Sequence, residues 1–313
     1  MSSSNTKSNM KFYFNRRPVS GPWGGGSKVI TAICEESVRR GHEIFFENDI
    51  HKNEFFDIIF CSDPRPGPTS FDDLLAYRTK NPRTKLIQRV GDLGTHGKPD
   101  LFMLVKASTK FADLVIFPSN WAKNFSKIDG INSITIENAP IKTFFAQKPE
   151  RTADSPIRLV SHHWSNNQFK GFEVYEALDK FCNLRGGFTF TFIGRKPEGC
   201  FLTNHVPPKD AQQLSEELAK HDIYITASKR EAGANHVLEA MALGLPVLFH
   251  RLGGSINEYC DGRGLVYDDA DDLIRKLEDP NLVSDLLSFK KPYTRNSDQM
   301  ASEYVDVFER FVS

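Results

Sequence analysis

Arg230-Glu-Ala-Gly-Ala-Asn-His-Val-Leu-Glu239 runs directly into Ala240-Met-Ala-Leu-Gly-Leu-Pro-Val247, and the reading of this stretch decides the fold. It follows a short β-branched run at residues 223–226 that reads as a buried strand. Gly233 lets the backbone turn closely, and a helical pattern begins at about Ala234. Leu-Gly-Leu-Pro then closes the helix, and the next apolar strand starts at Val247. Strand, tight turn, helix and strand within so short a span form one unit of a parallel sheet. The first amides of such a helix, from Ala234 through Asn235 to His236, are free donors at its positive end and suit a diphosphate. Glu239 lies two turns on, placed to accept from ribose hydroxyls, and Glu231 stands before the turn. Taken singly, two glutamates eight apart read more simply as a capping acid and a surface acid on an ordinary helix.

Working outward, the same alternation extends through most of the chain. Apolar runs at residues 11–15, 43–47, 57–61, 86–90, 114–118 and 133–137 are separated by helical patterns at 28–40, 71–80, 100–111 and 121–128. A polar, proline-flanked stretch at 146–156 reads as a linker. Strands at 158–161, 189–193, 223–226, 247–250 and 265–267 then alternate with helices at 171–182, 211–221, 234–243 and 271–278. Continuous apolar strands joined by helices predict parallel sheets covered on both faces. The expected class is therefore α/β: two Rossmann-like domains, residues 1–150 and 151–313, facing across a cleft at the carboxyl ends of their strands. The amphipathic tail at 297–311 is expected to pack as a helix, back on the first domain.

A chain of 313 residues is long enough for two such cores. Hydrophobic residues at 39% and charged ones at 26% are ordinary for a globular protein. Lys plus Arg and Asp plus Glu are 40 each, but residues 1–150 hold 21 basic against 16 acidic side chains and residues 151–313 hold 19 against 24. Overall neutrality lacks the basic footprint of a duplex-binding protein. The polar first nine residues carry no signal-peptide pattern, and no run reaches about 18 apolar residues, so a cytoplasmic location is expected, with peripheral membrane association left open. Five scattered cysteines without CxxC spacing suit reduced thiols and argue against a zinc site.

Further motifs fall at strand ends. Gly24-Gly25-Gly26-Ser27-Lys28 displaces the lysine from Walker A order and lacks GxGxxG spacing, which excludes a P-loop and a dinucleotide fingerprint and leaves a glycine loop near the ligand. Gly91-Asp92-Leu-Gly-Thr-His96-Gly97 brings an acid and an imidazole to the cleft edge, where Asp92 and His96 are candidates to orient an acceptor hydroxyl. His162 and His163 end a strand. Asp268-Asp-Ala-Asp-Asp272 reads as helix capping rather than a metal site, so no metal or other cofactor is expected.

Glu231 to Val247, with Gly253-Gly254-Ser-Ile-Asn-Glu258 beyond it, resembles the E-x7-E signature and the Gly-Gly…Glu turn of glycosyltransferase family 4, retaining enzymes of GT-B fold. Arg39-Arg40-Gly41-His42-Glu43, Asp113 to Ser119, Ile136 to Pro140 and Phe169-Lys170-Gly171 resemble further family segments in the family's order, over about residues 21–285. The resemblance implies a nucleotide-sugar donor, with Glu231 on the sugar hydroxyls, Glu239 on the ribose and Lys170 neutralising the leaving diphosphate. Gly253, Gly254 and Ser255 would bring amides to the same phosphates, and His205 would lie near the base. The family's arginine about five residues before the lysine is missing from Ser161-His-His-Trp-Ser-Asn-Asn167, leaving Arg195 or Arg251 to compensate. The implied acceptor is a hydroxyl on a glycan, a lipid-linked sugar or another molecule; nucleic acid enters only as an acceptor, a modified base in viral DNA. A non-catalytic nucleotide-sugar-binding module of the same fold and a nicotinamide-dependent oxidoreductase remain as alternatives.

Overall fold

Stretches such as Ile-Ile-Phe-Cys and Leu-Val-Ile-Phe leave no polar side for water, and each becomes a strand buried on both faces. The structure, a computed structural model, describes residues 9–19, 25–146, 155–288 and 291–312. Gly24, residues 1–8 and most of the expected linker (147–154) lie outside them.

The first lobe runs β1 (Lys11–Phe14), α1 (Gly25–Arg39), β2 (Glu43–Phe46), β3 (Ile58–Cys61), α2 (Phe71–Lys80), β4 (Lys85–Arg89), α3 (Pro99–Ser108), β5 (Leu114–Phe117), α4 (Asn120–Ser126) and β6 (Ser133–Thr135). Its strands form one parallel sheet in the order β2-β1-β3-β4-β5-β6. The second lobe runs β7 (Ile157–His163), α5 (Phe172–Arg185), β8 (Phe188–Gly194), β9 (Asn204–Val206), α6 (Ala211–Leu218), β10 (Ile223–Thr226), α7 (Asn235–Ala242), β11 (Val247–His250), α8 (Ser255–Tyr259), β12 (Gly264–Tyr267), α9 (Ala270–Glu278) and α10 (Pro280–Ser288). These strands form a second parallel sheet, β12-β11-β10-β7-β8-β9. In each sheet the chain order reverses across the first strand, at β1/β3 and at β7/β10. Doubly wound sheets open a crevice at the carboxyl ends of such strands. This is the two-sheet α/β architecture expected from the alternation.

The final helix, α11 (Ser297–Val312), crosses back to the first lobe, where Met300, Tyr304, Val305 and Phe308 join Phe12, Phe14, Ile33 and Phe60 in one core. Loops from the two lobes meet directly. The Ser119 hydroxyl donates to the Ala232 carbonyl at 2.7 Å, and the Tyr259 hydroxyl to that of Pro118 at 2.6 Å. Asp269 caps α9 by accepting from the Asp272 amide at 2.8 Å, so the acidic run does serve a helix start. Among the described residues no helix is long and apolar enough to cross a membrane, and no group of three or more His, Cys, Asp or Glu is arranged to hold a metal. All five cysteines are unpaired.

Candidate active site

β10 ends on a buried threonine, and the chain then bends sharply to present Glu231. Arg230 adopts φ of +56°, a left-handed conformation uncommon outside glycine and costly enough to mark a site. Neighbours hold the bend: the Arg230 amide donates to the Leu252 carbonyl at 2.8 Å, and the Glu231 amide to that of Gly253 at 3.1 Å. The Ser255 amide returns to the Glu231 carbonyl at 2.9 Å. Gly254 has φ of +74°, and a Cβ there would fall 2.7 Å from the Glu231 carbonyl oxygen. Gly253, Gly254 and Ser255 thus brace Glu231 from behind. They do not line the cleft, and the amides of Gly253 and Ser255 are committed to protein carbonyls, whereas the resemblance places them on the phosphates.

A cleft of about 280 Å³ opens between the lobes, lined by both glutamates and by Lys28, Lys170, Asn235 and His236. Two lysine–glutamate pairs cross it. Lys170 donates to Glu231 Oε1. Lys28, from the first turn of α1, donates to Glu239 Oε1 at 2.6 Å, and its ammonium stands 5.1 Å from the centre of the Phe144 ring. His162 Nε2 donates to Glu239 Oε2 at 3.0 Å, since a carboxylate can only accept. Burial pushes the carboxyl of Glu231 up, but the charges of Lys170, His96 and His236 outweigh it and hold it at about 2. Glu239 likewise is pushed up by burial and brought to about 2 by Lys28 and His162. Two imidazoles move the other way. Burial depresses His236 to about 3, against the pull of Glu231, and takes His163 well below the usual histidine range. The Ala227 amide donates to the Tyr175 hydroxyl at 3.0 Å, so that hydroxyl can donate on to His163 Nε2 at 2.6 Å.

The helix start differs from its expected form. The Ala234 amide donates to Ser255 Oγ at 3.2 Å and the Asn235 amide to the Gly233 carbonyl at 3.0 Å. Of the three amides expected to face a ligand, that of His236 alone has no such partner among the described residues. Gly233 is required by the other lobe: a Cβ would meet Asn138 Nδ2 at 2.7 Å and Pro118 Cβ at 2.9 Å. Gly25 is similarly pinned, 1.5 Å being all that would separate its Cβ from the Asn235 side chain, whereas Gly26 faces open space.

Next to the cleft lies a larger space of about 540 Å³, edged by the Asp92–His96 loop and by Glu231. Asp92 and His96 are present there but committed. Asp92 accepts from the Gly94 amide at 2.8 Å and from Lys98 at 2.9 Å. His96 Nε2 donates to the Lys229 carbonyl at 2.9 Å and lies 4.0 Å from Glu231. Both side chains therefore reach this space already hydrogen-bonded to the protein.

Arg195 does not line the cleft; its guanidinium stacks on the Trp164 ring at 3.9 Å. Arg251 is drawn off by Asp268 on the exposed side. His205 is exposed on edge strand β9 and bonds the Gly194 carbonyl at 2.8 Å. Glu258 caps α4 across the lobe boundary, accepting from the amides of Asn120 at 2.9 Å and Trp121 at 3.1 Å. The residues that sequence reading missed are Lys28, Arg89, Asn138 and Lys209, all on the cleft wall. Lys28 was visible only as a displaced Walker lysine, and no local pattern marks the others.

No curated protein sequence matches the chain. The family Glycosyl transferases group 1 matches residues 175–279, a segment holding Glu231, Glu239 and the Gly-Gly-Ser turn. Solved structures align over almost the whole chain. Sucrose-phosphate synthase from Thermosynechococcus elongatus superposes with a TM-score of 0.67 at 15% identity, covering 97% of this chain and 99% of that one. WaaG, a glycosyltransferase involved in lipopolysaccharide biosynthesis, gives 0.64 at 13%, covering 96% and 99%. The catalytic domain of starch synthase IV from Arabidopsis thaliana, bound to ADP and acarbose, gives 0.63 at 13%, covering 97% and 100%. At such identities the structural likeness speaks for the fold. The chain has the GT-B fold, and the match to Glycosyl transferases group 1 lies on the segment that presents both glutamates.

Proposed function

We propose that the protein transfers a sugar, with retention of anomeric configuration and without a metal, from a nucleotide-diphosphate sugar to a hydroxyl acceptor. One observation carries this reading: two lysine–glutamate pairs, Lys170–Glu231 and Lys28–Glu239, stand in one cleft at the start of α7. An entering diphosphate takes both ammonium groups. That frees Glu231 for the hydroxyls of the sugar and Glu239 for those of the ribose. Lys28 thereby fills the place of the missing arginine, with the His236 amide as a further donor. The starch synthase bound to ADP and acarbose offers a precedent on the same fold for a nucleotide and a sugar held together.

In the reaction the bond from the anomeric carbon to the diphosphate oxygen breaks and the electron pair leaves with the phosphate. Lys170 and Lys28 stabilise that charge. The acceptor oxygen bonds to the same carbon from the same face, and its proton passes to the departing phosphate oxygen. The larger space beside Glu231 receives the acceptor, a glycan, a lipid-linked sugar or another hydroxyl compound.

A thermal-shift screen with UDP, GDP, ADP and CMP sugars identifies the donor, and NMR of the product reads the anomeric configuration. An inverted product would falsify the retaining assignment. Lys170→Ala is expected to lower kcat about 100-fold or more. Lys28→Met and Glu239→Ala should raise the donor Kd about tenfold or more. Nucleotide binding without turnover under every donor tried would favour a binding module instead.

A further inference from the structure

Once the two lysines are assigned to the diphosphate, the most deeply buried cation of the cleft wall still lacks an anion. Arg89 ends β4, is 4% exposed and lines both the donor cleft and the larger space. Its Nε donates to the Tyr304 hydroxyl at 3.2 Å and its Nη2 to Asn138 Oδ1 at 2.9 Å. Both partners are neutral, and among the described residues no carboxylate pairs with this guanidinium. Burying an arginine without a counter-charge is costly unless an anion arrives. Its third nitrogen, Nη1, has no hydrogen-bond partner among the described residues and lies against Gly91, where a Cβ would come within 2.1 Å of it. Glycine at 91 therefore leaves room for the guanidinium at the junction of the two spaces.

The neighbouring charges do not fill this need. In the larger space Arg65 is neutralised by Asp63 at 2.6 Å and Lys98 by Asp92 at 2.9 Å. Arg17 is matched by Glu47 at 3.4 Å. Arg16 is tied to the carbonyls of Arg65 and Pro66. Glu231 is already held by Lys170. The one guanidinium edge that Arg89 leaves free matches a planar, singly charged carboxylate.

We propose that Arg89 recognises a carboxylate carried by a sugar at the junction of the donor and acceptor spaces, so that one of the two substrates is an acidic sugar. The inference rests on the nucleotide-sugar reading of the site. The carboxylate belongs either to the transferred sugar, a uronate, or to the sugar that receives it, and the test separates these sources.

In the donor arm, binding and hydrolysis by the full chain are compared for matched pairs: UDP-glucuronate with UDP-glucose, UDP-galacturonate with UDP-galactose, and GDP-mannuronate with GDP-mannose. In the acceptor arm, transfer to p-nitrophenyl glucuronide is compared with transfer to p-nitrophenyl glucoside. The acidic member is expected to be favoured about tenfold or more in one arm, as a charge-assisted bond to a buried group allows. Arg89→Gln should abolish that preference. So should Gly91→Ala, which keeps the charge but displaces the guanidinium, and Gly91 does not sit at positive φ, so alanine adds no backbone strain there. A preference that survives both substitutions in folded protein overturns the assignment of Arg89. Equal treatment of acidic and neutral partners in both arms, by a protein that binds UDP or GDP, overturns the inference alone. A protein that binds no nucleoside diphosphate sinks the donor reading and this inference together.

Discussion

Glu231 and Glu239 keep their charge in a buried cleft because Lys170 and Lys28 reach them from other elements. Each carboxyl stands at about 2, below its ordinary value of 4.5. A folded-state value below the unfolded one means the pairs stabilise the fold fully above about pH 4.5, and that this contribution is lost as pH falls towards 2. Urea unfolding at stepped pH should therefore show a steeper loss between pH 4.5 and 2 in the parent than in Glu239→Gln. Identical slopes would mean that the Lys28 pair does not form. The two imidazoles obey the opposite sign. Burial holds His236 at about 3, so that ring is neutral from about pH 5 upward, and it takes His163 well below the usual histidine range. Nitrogen-15 shifts of the His236 ring should stay flat between pH 5 and 8, and a titration near 6.5 in either imidazole would contradict the burial account.

At the scale of elements, one glycine behind Glu231 and one on the cleft wall separate backbone need from open space. Gly254, at φ of +74° with the Glu231 backbone 2.7 Å from any Cβ, should tolerate nothing larger. Gly254→Ala is expected to cost about 1–3 kcal/mol from backbone strain, with further loss from the clash, and to displace Glu231. Gly26 lies in the first turn of α1 with nothing near its Cβ position, so Gly26→Ala should gain up to about 1 kcal/mol of stability. Chemical denaturation of the two variants checks the contrast. These elements also show what a sequence makes readable. Fully buried strands such as β3 and β5 announce themselves because every position is apolar, and α7 because its glycine turn precedes a helical pattern. The three-residue edge strand β9 and the five-residue α8 carry too few residues for a period to emerge. His162 and His163 were expected at a strand end, and they are the last two residues of β7, paired with Ile193 and Gly194 of β8. In the site, the acids were legible from the turn and helix start they flank, Glu231 before the turn and Glu239 within α7. Lys28 and Arg89 were not, because Lys28 meets a glutamate 211 positions away and Arg89 meets a tyrosine 215 positions away. Gly253 and Gly254 were legible as glycines, yet their purpose, bracing Glu231, depends on a backbone pairing that no spacing reveals.

For the whole molecule, the return of α11 to the first lobe ties the chain's last turns to its first strand. Phe308 is fully buried there, its ring 5.3 Å from that of Phe12 and 5.4 Å from that of Phe60. Arg40 fastens the same helix by donating to Asp306 at 2.6 Å, and His42 stands 3.0 Å from Glu309. The helix also reaches the cleft, since Tyr304 accepts from Arg89. Because α11 follows the second sheet in sequence but completes the core of the first, loosening it should weaken both lobes in one transition. Phe308→Ala is expected to cost about 3–5 kcal/mol, whereas Phe311→Ala, only partly buried against the same core, should cost less. Trp121 in the first lobe and Trp164 in the second provide separate fluorescent reporters once the other tryptophans are replaced by phenylalanine. Coincident denaturation curves from both, shifted together by Phe308→Ala, are the expected result. Curves that part, with Trp164 unmoved, would show that α11 serves the first lobe alone and that closure of the cleft depends on the loop contacts around Ser119 and Tyr259.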